Sequence, residues 1–164
     1  MSPGGGILPV AKKGNRLFFL LALEVFDKKW SDFGGTSYKN ETNYETAIRE
    51  GYEELNGFFG NYSEFNELAY NNYLLKISKL DNSYISHLIN ISYDSNLPFY
   101  FNNNVKFIND NFKNLINKNG YFEKKKVKWF SINELKQNKN FRNFYQEIVD
   151  ILIDNENTIK KLIN

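Results

Sequence analysis

Gly35, Glu41, Arg49, Glu50, Glu53 and Glu54 are the residues of this sequence whose types and spacing could do chemistry. Five residues separate Gly35 from Glu41, and seven more separate Glu41 from Arg49, all following the loop "WSDFGG". At ~100° per residue, a helix through this stretch gathers Glu50, Glu53 and Glu54 within an arc of roughly 100°. Tyr44, Ile48 and Leu55 then fall on the opposite side, toward a core. Carboxylates crowded on one face repel one another. A hard divalent cation removes that repulsion, and Mg²⁺ favours such oxygen ligands. A merely solvated acidic face would leave the double glycine and both spacings without a reason.

The pattern resembles the Nudix box: glycine, five residues, glutamate, seven residues, Arg-Glu, a spacer, then Glu-Glu, spanning residues 35–57 here. At average usage of roughly 5–7% per residue type, a chance match in the chain is on the order of 10⁻⁵. The resemblance implies a Nudix-type α/β/α sandwich with a mixed sheet, and hydrolysis of a diphosphate linkage in a nucleotide-type substrate. It implies Glu50, Glu53 and Glu54 as ligands of Mg²⁺ or Mn²⁺, with the carbonyl of Gly34 or Gly35 as a further one. It makes Arg49 a partner of the acidic residues that holds the loop against the helix, and Glu41 the residue that fixes the loop. "VKWFSINEL" (127–135) is similar to the late strand and short helix of many members of the family. Three positions depart from the pattern: Gly51 replaces an aliphatic residue, Asn56 replaces the terminal glycine, and Asp32-Phe33 replaces a proline-containing loop.

Outside the box, Glu123 stands where many members supply one more catalytic glutamate from a late loop, although an ordinary charge on an exposed turn reads equally well. Glu64 and Glu67, in the connection after the box, are weaker candidates for that role. Lys124, Lys125, Lys126 and Lys128 read as a solvated edge strand, since edge lysines block aggregation, rather than as a phosphate or RNA contact. His87, the only histidine, reads as structural. Phe99, Tyr100 and Phe101 read as core residues, with base stacking as the other possibility.

The elements that must position these groups follow from periodicity. "GILPVA" (6–11) and "RLFFLLALEVF" (16–26) predict two strands, the second apolar enough to be central in a sheet. Residues 30–39 predict a loop. Thr42 with Glu45 forms a capping box that opens a helix over about 43–55. Residues 68–80 and 84–93 predict strands, 95–104 a loop, 105–116 a helix and 126–130 a strand. Ser131 with Glu134 repeats the capping box before "INELKQ", and 141–162 predicts a final helix with Phe144, Ile148, Ile151 and Leu152 on one side.

At 164 residues the chain suits one domain, expected to span 1–164. A net charge of +2 sets up no field that would recruit nucleic acid, and the absence of cysteine removes thiol chemistry. No apolar run reaches the ~20 residues of a membrane span, and "MSPGGGILPV" lacks a secretory signal, so a cytoplasmic protein without a membrane partner is expected. The abundance of Asn, Lys and Ile beside scarce Arg suits an AT-rich genome. Together with "WSDFGG" and "EKKKVKW", that composition is similar to Nudix proteins of large DNA viruses, some of which decap RNA or cleave diphosphoinositol polyphosphates. The expected partner is therefore a nucleotide or a capped RNA. The alternatives are a diphosphoinositol polyphosphate hydrolase, or a nucleic-acid-binding protein that keeps the fold without turnover.

Overall fold

A computed structural model describes residues 3–116, 118 and 120–163. Its strands are β1 (Gly4–Lys13), β2 (Arg16–Glu24), β3 (Trp30–Ser31), β4 (Phe33–Thr36), β5 (Tyr73–Ser78), β6 (Tyr84–Asn90) and β7 (Lys124–Ser131). The helices are α1 (Asn43–Glu54), α2 (Tyr62–Asn71), α3 (Leu97–Asn111), α4 (Ile132–Gln137), α5 (Gln146–Asp154) and α6 (Glu156–Leu162). The sheet runs β3-β2-β1-β6-β5, with β4 paired to β1 and β7 paired to β2. β1 and β6 are parallel and the other pairs antiparallel, so the sheet is mixed.

The apolar run of β2 is buried on both faces because each face has its own core. Leu17, Phe19, Leu21 and Leu23 pack with Tyr145, Ile148 and Leu152 of the C-terminal helical region, whereas Leu20 and Ala22 pack with Ala47, Ile48 and Leu55 around α1. The result is a Nudix-type α/β/α sandwich, as expected. α1 opens where the capping box places it: Thr42 Oγ1 accepts from the Glu45 amide (3.2 Å), and Glu45 Oε2 accepts from the Thr42 amide (2.8 Å). Its end is also as expected, with Asn56 in the left-handed region at φ 54°. Gly51 has a packing reason. A Cβ there would stand 3.1 Å from both Ile7 and Phe65, so the space of the missing aliphatic side chain is already filled from the sheet and α2.

Several expectations are corrected. Residues 30–39 contain β3 and β4, too short for periodicity to reveal. Glu64 and Glu67 lie on α2, opened by an Asn61–Glu64 capping box, so the strand expected from 68 begins only at Tyr73. The predicted loop at 95–104 is mostly the first half of α3, where Pro98 occupies the first turn that tolerates it. Phe101 is core, but Phe99 and Tyr100 are exposed on that helix. The final helix is two, with Asn155 at the break, and starts at Gln146 rather than 141. Among the described residues no helix is long and apolar enough to cross a membrane.

Candidate active site

The glycine-rich part of β4 and the C-terminal half of α1 meet face to face. A Cβ on Gly35 would collide with the Glu50 carboxylate, so only glycine lets that side chain lie against the loop. Arg49 ties the pieces together. Its Nε and Nη2 donate to Glu41 Oε1 and Oε2 (2.8 and 2.9 Å), its Nη1 donates to Glu50 Oε1 (2.7 Å), and Nη1 lies 3.6 Å from Glu53 Oε2. Nη2 also reaches the Thr36 carbonyl (3.3 Å), and the guanidinium lies 4.0 Å from the centre of the Tyr38 ring. The bidentate bond to Arg49 brings the Glu41 carboxyl down to about 2, and the same bond raises the Arg49 pKa. Glu45 caps the helix, as its spacing from Thr42 predicts, and takes no part in this cluster.

Glu53 and Glu123 come to the same side. Glu123 precedes β7, where its carbonyl accepts from the Val25 amide (3.2 Å), and Asn56 Oδ1 accepts from the Phe122 amide (2.8 Å), docking the late loop on the end of α1. Burial raises the Glu53 pKa, and the charges of Glu50 and Glu123 raise it further. Burial, then the charge of Glu50, raises that of Glu123. The charge of Glu50 therefore reaches both Glu53 and Glu123.

Glu54 overturns one expectation. It was placed on an exposed acidic arc with Glu53, but it is 3% exposed and forms an ion pair with Lys124 (Oε1 to Nζ, 3.1 Å). Lys124, expected on a solvated edge, is fully buried and also pairs with Glu24. Glu24 Oε1 further accepts from Ser31 Oγ (3.2 Å) and from Arg142 Nη1 (3.3 Å). Burial pushes the Glu54 pKa well up against the opposing charge of Lys124. Burial works against the charged form of Lys124, yet Glu54 and Glu24 outweigh it and its pKa is raised. Glu54 Oε2 has no hydrogen-bond partner.

The inward turn of Lys124 comes from a bulge. Leu23 pairs with Lys126 but Glu24 pairs with Lys124, leaving Lys125 as the extra residue. Lys125 and Lys126 are consequently exposed in succession, and Lys124 enters on the Glu24 face. Lys128 stays outside, paired with Glu134 (2.8 Å). Glu24, Lys124 and Arg142 are site neighbours that sequence reasoning missed. The available signal was Glu24 itself, a charge inside an otherwise apolar strand.

Glu64 and Glu67 are exposed on α2, the former engaged in its cap. His87 is buried and structural. Its Nε2 lies 3.0 Å from Asn43 Oδ1 and its Nδ1 3.3 Å from the Tyr73 hydroxyl, with burial lowering its pKa to about 4. Asp32 is likewise buried, accepting from Tyr84 Oη and Ser86 Oγ (2.6 Å each), and burial brings its carboxyl up to about 6.

Among the described residues no three His, Asp or Glu side chains already enclose a point that a metal could occupy, since Arg49 and Lys124 stand between them. The donor chemistry nonetheless suits a hard divalent cation. Glu53 and Glu123 carboxyls whose pKa burial and the charge of Glu50 raise, a partnerless buried oxygen on Glu54, and a loop cleared of side chain at Gly35 are what such an ion needs. On the far side of Gly35, Gly34, Gly35, Thr36, Tyr84, Arg142 and Phe144 line an open cavity of about 340 Å³.

Solved structures share this architecture. The chain is similar to an Ap4A hydrolase from C. elegans, at 14% identity and a TM-score of 0.59, with 96% of this chain and 98% of the other covered. It is also similar to RenU, a Nudix hydrolase from M. smegmatis, at 11% identity and a TM-score of 0.54, covering 97% and 88%. A MutT protein from Methanosarcina mazei Go1 matches at 16% identity and a TM-score of 0.50, covering 95% and 96%. The fold of this chain is thus that of Nudix hydrolases. None of these three is viral, and they lend the viral resemblance no support. No protein-family model and no curated protein matches the sequence.

Proposed function

We propose that the protein is a Nudix pyrophosphohydrolase that cleaves a diphosphate linkage in a nucleotide-type substrate with Mg²⁺ or Mn²⁺. The observation that carries this reading is the Glu50 carboxylate lying against the side-chain-free loop at Gly35, with Glu53 and Glu123 in its field and a partnerless Glu54 Oε2 one turn further along α1. Glu50, Glu53, Glu54 and the Gly35 carbonyl would hold the ion. When bound, such an ion polarises a phosphoryl oxygen and acidifies a water molecule.

The chain's own groups do the remaining work. Glu123, half-buried with a raised pKa, accepts the proton of the attacking water from the late loop opposite α1, with Glu53 on α1 as the alternative base. Arg49 orients Glu50 and, through Glu41, fixes the loop. The cavity beyond Gly35 offers room for the nucleoside part, with Phe144 as a stacking surface.

A substrate panel tests the reading: dinucleoside polyphosphates, nucleotide sugars, capped RNA and diphosphoinositol polyphosphates, each with Mg²⁺, Mn²⁺ or EDTA. Metal-dependent release of a nucleoside phosphate is expected. Turnover of the inositol compounds alone would replace the nucleotide assignment. RNA binding without turnover of anything would make the chain a binding protein on this fold.

A further inference from the structure

We infer that Lys124 is a tethered cation of the carboxylate centre: its ammonium fills a position between Glu24 and Glu54 that a divalent ion would otherwise take, and it leaves Glu54 a single oxygen to give. The inference rests on the metal-dependent reading of the site.

Both contacts of the ammonium are to Oε1 atoms, one on each carboxylate, and all three residues are buried. Two carboxylate oxygens converging on one positive point are what an oxygen-ligated cation requires. A lysine is an expensive way to supply that point, since a buried ammonium loses its hydration and persists only when closely paired. The fold makes a specific arrangement to put it there, because the bulge at Lys125 carries Lys124 rather than its neighbour onto the Glu24 face. Arg142 and Ser31 reach only Glu24, so Lys124 is the only group that bonds Glu54 through its side chain among the described residues. Glu54 Oε2 stays without a partner, so Glu54 has one bound oxygen and one unsatisfied. The division is spatial. Lys124 serves the Glu24 end of the cluster, and a divalent ion serves the Glu50 and Glu53 end. Lys124 is accordingly a positioning residue and touches no substrate.

The test counts ions rather than turnovers. Mn²⁺ binding to the full chain is measured by the electron paramagnetic resonance signal of free Mn²⁺, for the wild type, Lys124→Met, and Lys124→Met combined with Glu24→Leu. Lys124→Met is expected to bind one Mn²⁺ more per chain than the wild type, and the double variant to return to the wild-type number. Should Lys124→Met prove unstable in EDTA, its melting temperature is expected to recover toward the wild-type value with Mn²⁺, more than the wild type gains. An unchanged Mn²⁺ count in a folded Lys124→Met chain, or an unstable one that Mn²⁺ does not rescue, overturns the inference. The functional reading fails differently: wild-type protein that binds no Mn²⁺, while Lys124→Met binds one, would leave the place of Lys124 standing and remove the metal-dependent hydrolase.

Discussion

Two cations neutralise the carboxylates of α1, and they do so in opposite ways. Arg49, near the middle of the helix, is partly exposed and draws Glu41, Glu50 and Glu53 from within a dozen residues of itself. Lys124, at the end of the helix, is fully buried and joins Glu24 to Glu54 across the sheet. The difference teaches where each contribution lives. The arginine organises a loop that solvent can partly support, whereas the lysine compensates charges that have no water to turn to.

The largest effect is expected on turnover. Glu123→Gln should cut the rate by roughly 10²–10⁴, the scale of losing a general base, with a smaller change in KM. Glu64→Gln and Glu67→Gln, both on α2 away from the cluster, should do little. Full activity in Glu123→Gln would return the base to α1.

The two cations should then separate in stability. Lys124→Ala leaves the buried Glu54 carboxylate unpaired and Glu24 with Arg142 as its remaining cation, and should cost roughly 3–5 kcal/mol in urea unfolding without metal. Arg49→Ala should cost roughly 1.5–3 kcal/mol, the range for charged hydrogen bonds, and also lower the rate. Equal losses would erase the contrast between the clusters.

One substitution on adjacent residues sharpens it. In EDTA at pH 7.5, Glu53→Gln should melt at or above the wild-type temperature, because the raised Glu53 pKa means that its charge costs stability as pH rises. Burial raises the Glu54 pKa too, but Glu54, unlike Glu53, keeps a buried ammonium charged, so Glu54→Gln strands Lys124 and should melt lower. Both should lose most turnover. Matching melts would show that Glu54 is as free as Glu53.

The smallest effect concerns His87, far from either cluster in role. Its pKa near 4, below the ordinary 6.5, means that its contribution is complete above about pH 6.5 and is lost as pH falls toward 4. His87→Gln should remove at most about 1.4 kcal/mol per pH unit from the slope of stability across that window. An unchanged slope in urea titrations at pH 6.5, 5 and 4 would show that His87 protonates freely.

The same contrast explains what the sequence discloses. The Arg49 cluster is local: glycine, glutamate and arginine fall at fixed intervals in one loop and helix, so spacing alone assembles it. The capping residues Thr42 and Ser131 are legible for the same reason. The Lys124 cluster joins residues 100 positions apart in sequence through an unpaired extra residue in β7, and alternation along "KKKVKW" gives no sign of it. Short strands such as β3 and β4 escape notice because two to four residues show no period. The first half of α3 was hidden by Pro98 and the asparagines, whose local preference for turns is overridden by the burial of Phe101 and Val105.

The bulge in β7 also bears on how this chain tolerates error. Lys124, Lys125 and Lys126 are identical, so deleting any one of them yields the same shortened sequence. In that shortened strand the regular ladder would place a lysine directly opposite Glu24 without a bulge, on the face that Lys124 now occupies. The buried charge pair would survive. Glu123 would still directly precede the lysine opposite Glu24, so its place beside Val25 would survive as well. The repeated lysine makes both the buried charge pair and the late-loop carboxylate redundant against a lost codon.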